Sequence, residues 1–138
     1  MTPRIPQEFD DIPFAALVPG SVHTGRYPVT TELVAAYDRL TGSGPARADG
    51  VAPSSVFSTF DPVYRAMGGR MEQGSVHVGQ RILPFADARV GDVLDVTVTV
   101  AEAAYVRDRP TVVLEVDYRR GDELVARTRS TILWGFSS

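Results

Sequence analysis

A chain of 138 residues, 43% apolar and 22% charged, has the size of one domain and enough apolar mass to bury a core. It contains no cysteine, which excludes disulfides, thiolate zinc sites and a cysteine nucleophile. The net charge is -3, all the basic residues are arginine, and they are scattered along the chain, which argues against a nucleic-acid footprint.

The opening segment, residues 1–24, holds four prolines and little periodicity, and is expected to wrap over the surface. Its first ten residues are polar and acidic where a secretory signal is basic and then apolar, and no later apolar run has the roughly 18 residues of a membrane span, so the cytoplasm is the expected compartment. Arg26-Tyr27-Pro28-Val29 reads as a short extended piece, and Thr30 as the N-cap of a helix over Thr31–Thr41. Leu33, Tyr37 and Leu40 fall on one face of that helix, with Gly42 as its C-cap. Residues 42–50 form a loop by composition.

An apolar stretch follows over 51–67, with Val56, Phe60, Val63 and Met67 on one helical face, so this helix is expected to be largely buried. Asp61-Pro62 interrupts it, restarting the turn with Asp as N-cap and Pro at N1, and Gly68-Gly69 ends it. The rest alternates with period two: residues 75–83, 93–101, 111–118 and 124–134 read as strands, with a turn over 119–123. On 75–83, strict alternation puts Val76, Val78 and Ile82 on one face and His77, Gly79 and Arg81 on the other, which places His77 away from the helix. Long neighbouring strands with one covered face imply an antiparallel sheet, giving an α+β domain in which the sheet wraps a buried helix. One domain spans 1–138, and the sheet's free edges imply a dimer.

The order of these pieces resembles the MaoC-like hydratase/dehydratase family. Tyr27-Pro28-Val29-Thr30, then Glu32 to Tyr37 and Leu40-Thr41-Gly42, are similar to that family's first strand and helix. Gly74-Ser75-Val76-His77-Val78-Gly79-Gln80-Arg81-Ile82, then Pro84 and Val90-Gly91-Asp92, are similar to its strand-loop-strand. The likeness covers roughly residues 20–136 and is to the shorter members, dehydratase subunits among them. It implies a hotdog fold and an acyl thioester carried on coenzyme A or acyl carrier protein, with no further cofactor.

Catalytic members of that family carry Thr/Ser-Gly-Asp-x-Asn-Pro-x-His, whose Asp and His shuttle protons across the double bond of the thioester. Hydration of an enoyl thioester needs a base for water, an acid for the alpha carbon and donors for the developing enolate. The matching stretch here is Thr41-Gly42-Ser43-Gly44-Pro45-Ala46-Arg47, with Ser43 for the Asp, Arg47 for the His, and one residue fewer between them. Serine without a partner is no base, and arginine stays protonated. The usual machinery is absent.

Other candidates are weighed against plainer roles. Asp49, the nearest carboxylate in the loop, is either a displaced acid/base or a solvated turn residue before Gly50. Arg47 either forks onto a phosphate of the carrier or faces solvent. Ser54 and Ser55 match the region where the family offers a backbone N–H to the thioester carbonyl, or else form a serine-rich cap. Phe57, with Phe60, Tyr64 and Trp134, lines an acyl tunnel or belongs to the core. His77 is a catalytic candidate; His23 has no evident partner. With two histidines and no clustered spacing, no metal site is expected.

Three functions follow. The first is an accessory subunit paired with a homologue that has the intact motif. The second is a stand-alone dehydratase or hydratase using His77 or Asp49, with thioester hydrolysis by Glu72 or Asp61 as a variant. The third is a non-catalytic homodimer that binds an acyl group. Neither nucleic acid nor membrane is an expected partner.

Overall fold

A computed structural model describes residues 9–41, 51–52 and 54–135. Five strands form one antiparallel sheet: β1 (Val22–Pro28), β2 (Val76–Pro84), β3 (Val93–Val106), β4 (Arg109–Arg120) and β5 (Glu123–Leu133), in the spatial order β1-β3-β4-β5-β2. Helices α1 (Thr31–Thr41) and α2 (Asp61–Met67) and two 3-10 turns, Phe14–Ala16 and Ser54–Phe57, complete the described part. The sheet wraps the segment running from the second turn through α2, which is the α+β hotdog arrangement.

Period-two alternation builds the core. Leu94, Val96, Val98 and Val100 of β3 and Val112, Leu114, Val116 and Tyr118 of β4 are all buried and share one face. Val29, Val34, Val56, Phe57 and Val63 join them from the covering segments. Burying each valine or leucine contributes about 1.5–3 kcal/mol, so this face dominates the packing energy.

Helix α1 starts as its sequence dictates. The Thr30 hydroxyl accepts the Leu33 N–H at 3.1 Å, an N-cap bond. Val34 is its buried residue and Leu33 is half-buried; the side chains of Tyr37 and Leu40, and Gly42, lie outside the described residues.

The apolar 51–67 stretch is not one helix. Val51 bridges Arg89, residues Ser54–Phe57 make a 3-10 turn, and the α-helix begins only at Asp61. Pro62 has no N–H to give, so it sits in the first turn, with Phe60 rather than Asp61 as the N-cap. Gly68 closes the helix at φ 70, in the left-handed region. Burial divides along the stretch: Val56, Phe57 and Val63 are enclosed, while Asp61 and Arg65 face water.

Three strands run further than the sequence suggests, β4 by two residues at each end. The register of β3 slips between Val100 and Glu102, and the extra residue inverts the alternation beyond it. The strand continues to Val106 and turns through Arg107 and Asp108, both at positive φ, as a two-residue hairpin requires. Strand β1 begins at Val22, four residues before the expected extended piece. Its inward position Gly25 lets α2 approach closely, since a Cβ there would lie 3.2 Å from the Cα and Cβ of Ala66.

The N-terminal segment is stapled to the sheet's far end. Ile12 donates to Arg70 O at 2.9 Å and its carbonyl accepts the Trp134 indole N–H at 2.7 Å. Among the described residues no helix is long and apolar enough to cross a membrane.

Candidate functional site

Strand β2 forms one edge of the sheet, and all its residues but Ile82 are exposed. Val76 and Leu83 are each 40% exposed and Val78 54%, with Phe85 just beyond at 57%. An edge with apolar side chains and a free ladder of backbone groups is a pairing surface unless something covers it.

The register of β2 against β5 corrects the sequence reading of His77. A bulge lies between His77 and Gly79, so strict alternation fails there. His77 pairs with Ile132, Gln80 with Ser130, and Ile82 with Thr128. Residues directly opposite in an antiparallel pair share a face, and Ile132, Ser130 and Thr128 are buried toward the helices. His77 therefore stands on the helix-side face together with Ile82, not opposite it. Its ring lies 5.2 Å from that of Phe60, and the Gln80 Nε2 donates to Ser58 O at 3.5 Å.

Behind these exposed side chains lies a polar position in an apolar face. Ser130 is 1% exposed, flanked by Gln80 on β2 and Leu114 on β4, and its Oγ has no hydrogen-bond partner among the described residues. Sequence reasoning missed Gln80 and Ser130. Ser130 occupies an inward slot of the 124–134 alternation, which was the available signal. Gln80 had the same signal, since alternation puts it on the face of Ile82; the bulge turns His77, not Gln80, to the helix side.

Phe57 is 3% exposed, its ring 4.7 Å from Tyr118 and 6.5 Å from Tyr27 in an aromatic cluster. The Tyr27 hydroxyl donates to Val56 O at 2.6 Å, tying the second turn to β1. Ser54 and Ser55 lie in that turn; their side chains, like all of Ser43, Arg47 and Asp49, are outside the described residues. His23 faces the helices from β1, opposite Val98 at the other side of the sheet from His77.

The carboxylates considered for thioester hydrolysis are engaged structurally. Asp61 pairs with Arg65 at 2.9 Å, and the Glu72 Oε1 accepts the Phe14 N–H at 2.8 Å. Glu72 also lines a depression of about 330 Å³ with Tyr64, Arg70 and Ser75. Two of those groups are likewise occupied: Arg70 pairs with Asp11, and the Ser75 Oγ accepts the Gly135 N–H. Burial pushes the Tyr64 hydroxyl above its ordinary range, with Arg70 and a backbone bond from Met71 opposing. Among the described residues, no three His, Asp or Glu side chains are grouped to hold a metal ion.

No protein-family model and no curated protein sequence matches the chain. Solved structures do. The unliganded R-hydratase PhaJ1 from Pseudomonas aeruginosa superimposes with a TM-score of 0.68 at 16% identity, over 90% of this chain and 86% of that one. A MaoC-like dehydratase from Rhodospirillum rubrum gives 0.66 at 19%, over 87% and 94%. The HadBC (3R-hydroxyacyl-ACP dehydratase) complex from Mycobacterium tuberculosis gives 0.64 at 19%, over 83% and 95%. The chain thus shares its hotdog fold with MaoC-like hydratases and dehydratases along most of their length.

Proposed function

We propose that this chain is a MaoC-like protein that binds an acyl thioester, on coenzyme A or acyl carrier protein, as the accessory subunit of a heteromeric enoyl-thioester hydratase/3-hydroxyacyl-thioester dehydratase. One conjunction carries the reading: a hydratase-like fold over most of the chain, with Ser43 and Arg47 at the motif's Asp and His positions. Adding water across an enoyl thioester requires a proton acceptor and a proton donor near pH 7. Serine alone and a permanently charged guanidinium supply neither. The acid–base pair then comes from a partner, and this subunit contributes substrate-binding surface.

The exposed apolar edge at β2 supports a partner of the same fold, because pairing two such edges continues both sheets and covers Val76, Val78 and Leu83. Arg47, Ser54, Ser55 and Phe57 remain the proposed substrate-binding residues. The test is co-expression with an intact-motif homologue: the co-purified pair hydrates crotonyl-CoA, and neither co-purification nor activity is expected with an unrelated hotdog protein.

A second reading has one specific observation in its favour. The bulge sets His77 on the helix-side face, exposed, against Phe60. A histidine there is placed to act as a displaced acid/base in a stand-alone dehydratase, with Asp49 as the alternative. His77→Ala and Asp49→Ala, each assayed alone, decide it: turnover unchanged in both removes this reading. The remaining possibility, a non-catalytic acyl-binding homodimer, gives a thermal shift with acyl-CoA and no turnover in any combination.

A further inference from the structure

A buried hydroxyl without a partner costs about 1–3 kcal/mol, so one that persists in the helix-side face calls for an explanation. Ser130 is such a hydroxyl, 1% exposed and without a hydrogen-bond partner among the described residues, between Thr128 and Ile132 on a largely apolar face. It does not stand alone. The register of β2 sets Gln80 directly opposite it, and the bulge brings His77 onto the same face. Residues 58–60 lie over this pair, through the Phe60 ring on His77 and the Ser58 carbonyl accepting from Gln80. At 3.5 Å that Gln80 bond is at the limit of a hydrogen bond and is readily exchanged for a better acceptor.

We propose that Ser130 and Gln80 form a carbonyl-binding subsite beneath residues 58–60, in which the Ser130 hydroxyl and the Gln80 carboxamide donate to the carbonyl oxygen of an acyl thioester. Two neutral donors, one buried and one exposed, suit an uncharged acceptor oxygen and disfavour a carboxylate, which brings a charge into a low-dielectric face. A bound carbonyl satisfies the Ser130 hydroxyl and places the adjoining carbons beside His77. The inference rests on the acyl-thioester reading above and adds where the carbonyl sits.

The experiment is calorimetric titration of the full chain with butyryl-CoA and with its thioether analogue S-butyl-CoA, which lacks only the carbonyl. The wild type is expected to bind the thioester about tenfold more tightly, the worth of one or two such bonds. Ser130→Ala and Gln80→Ala each shrink that ratio toward one, and Ser130→Ala leaves the thioether affinity unchanged. Ser130→Ala removes an unsatisfied group, so its melting temperature stays at or above that of the wild type. A wild-type ratio retained in Ser130→Ala, or an equal loss for both ligands, overturns the subsite. Equal binding of the two ligands by the wild type also overturns it while leaving the acyl-thioester reading intact. Failure of both ligands to bind refutes the acyl-thioester reading itself.

Discussion

Tyr27→Phe removes one oxygen and leaves the ring. In the folded protein that oxygen donates to the Val56 carbonyl at 2.6 Å, and Tyr27 and Val56 are 5% and 0% exposed. The bond joins β1 to the turn that carries Ser54–Phe57, so it fixes the covering segment against the sheet. The phenylalanine ring keeps its packing on Phe57 and Tyr118, at 6.5 and 5.8 Å, so little apolar burial is lost. What remains is a buried carbonyl deprived of its donor, which costs about 1–3 kcal/mol. For a chain of this size that is a fall in melting temperature of roughly 4–12 °C. Urea unfolding followed by tryptophan fluorescence measures it through Trp134, the single tryptophan. The midpoint is expected to drop with the slope unchanged, since the surface exposed on unfolding is the same. A loss under about 0.5 kcal/mol refutes the assignment of this bond as a tie across the core.

Gly25→Val sets a branched side chain 3.2 Å or closer to Ala66, and is expected to cost about 1–3 kcal/mol by prising α2 from β1; an unchanged melting temperature contradicts that packing. Trp134→Phe deletes the donor to Ile12 O, and limited proteolysis should then cut near residues 9–20 faster while the sheet stays protected. The raised Tyr64 pKa means the fold favours the neutral phenol, so its contribution is complete below about pH 10 and is lost as pH climbs through the higher folded value. Tyr64→Phe should flatten that part of a stability–pH curve, and identical curves refute the linkage. Val76→Lys with Leu83→Lys puts charge on the β2 edge and is expected to halve the mass seen by sedimentation; an unchanged mass places any dimer contact elsewhere.

The strands were legible because β3, β4 and β5 each bury one face, so apolar residues recur at every second position. Legibility failed where that rule is broken by one residue. The slip at Val100/Glu102 ended the expected strand at 101, and the slip at His77/Gly79 assigned His77 to the wrong face. Nothing in the local composition announces either bulge, because both are set by the partner strand's register. Strand β1 was read short for another reason: its inward residues His23 and Gly25 are not apolar, and Ala66 of α2 fills the space. The 51–67 stretch has helical spacing, yet Pro62 forbids an unbroken helix and leaves a 3-10 turn before it. Of the site, the sequence offered His77 by residue type. Gln80 and Ser130 stand at inward slots of their own alternations, and only the register shows that they face each other.

The proposed role of this chain is to contribute a binding surface and not the acid–base pair. Its most direct test is the rate at which the purified chain, free of any homologue, hydrates crotonyl-CoA under conditions where an intact-motif hydratase turns over. No turnover above the uncatalysed rate is expected, with activity appearing when the intact-motif partner is added. Turnover by the chain alone at a rate comparable to that hydratase, abolished by His77→Ala, contradicts it and makes the displaced histidine the catalyst.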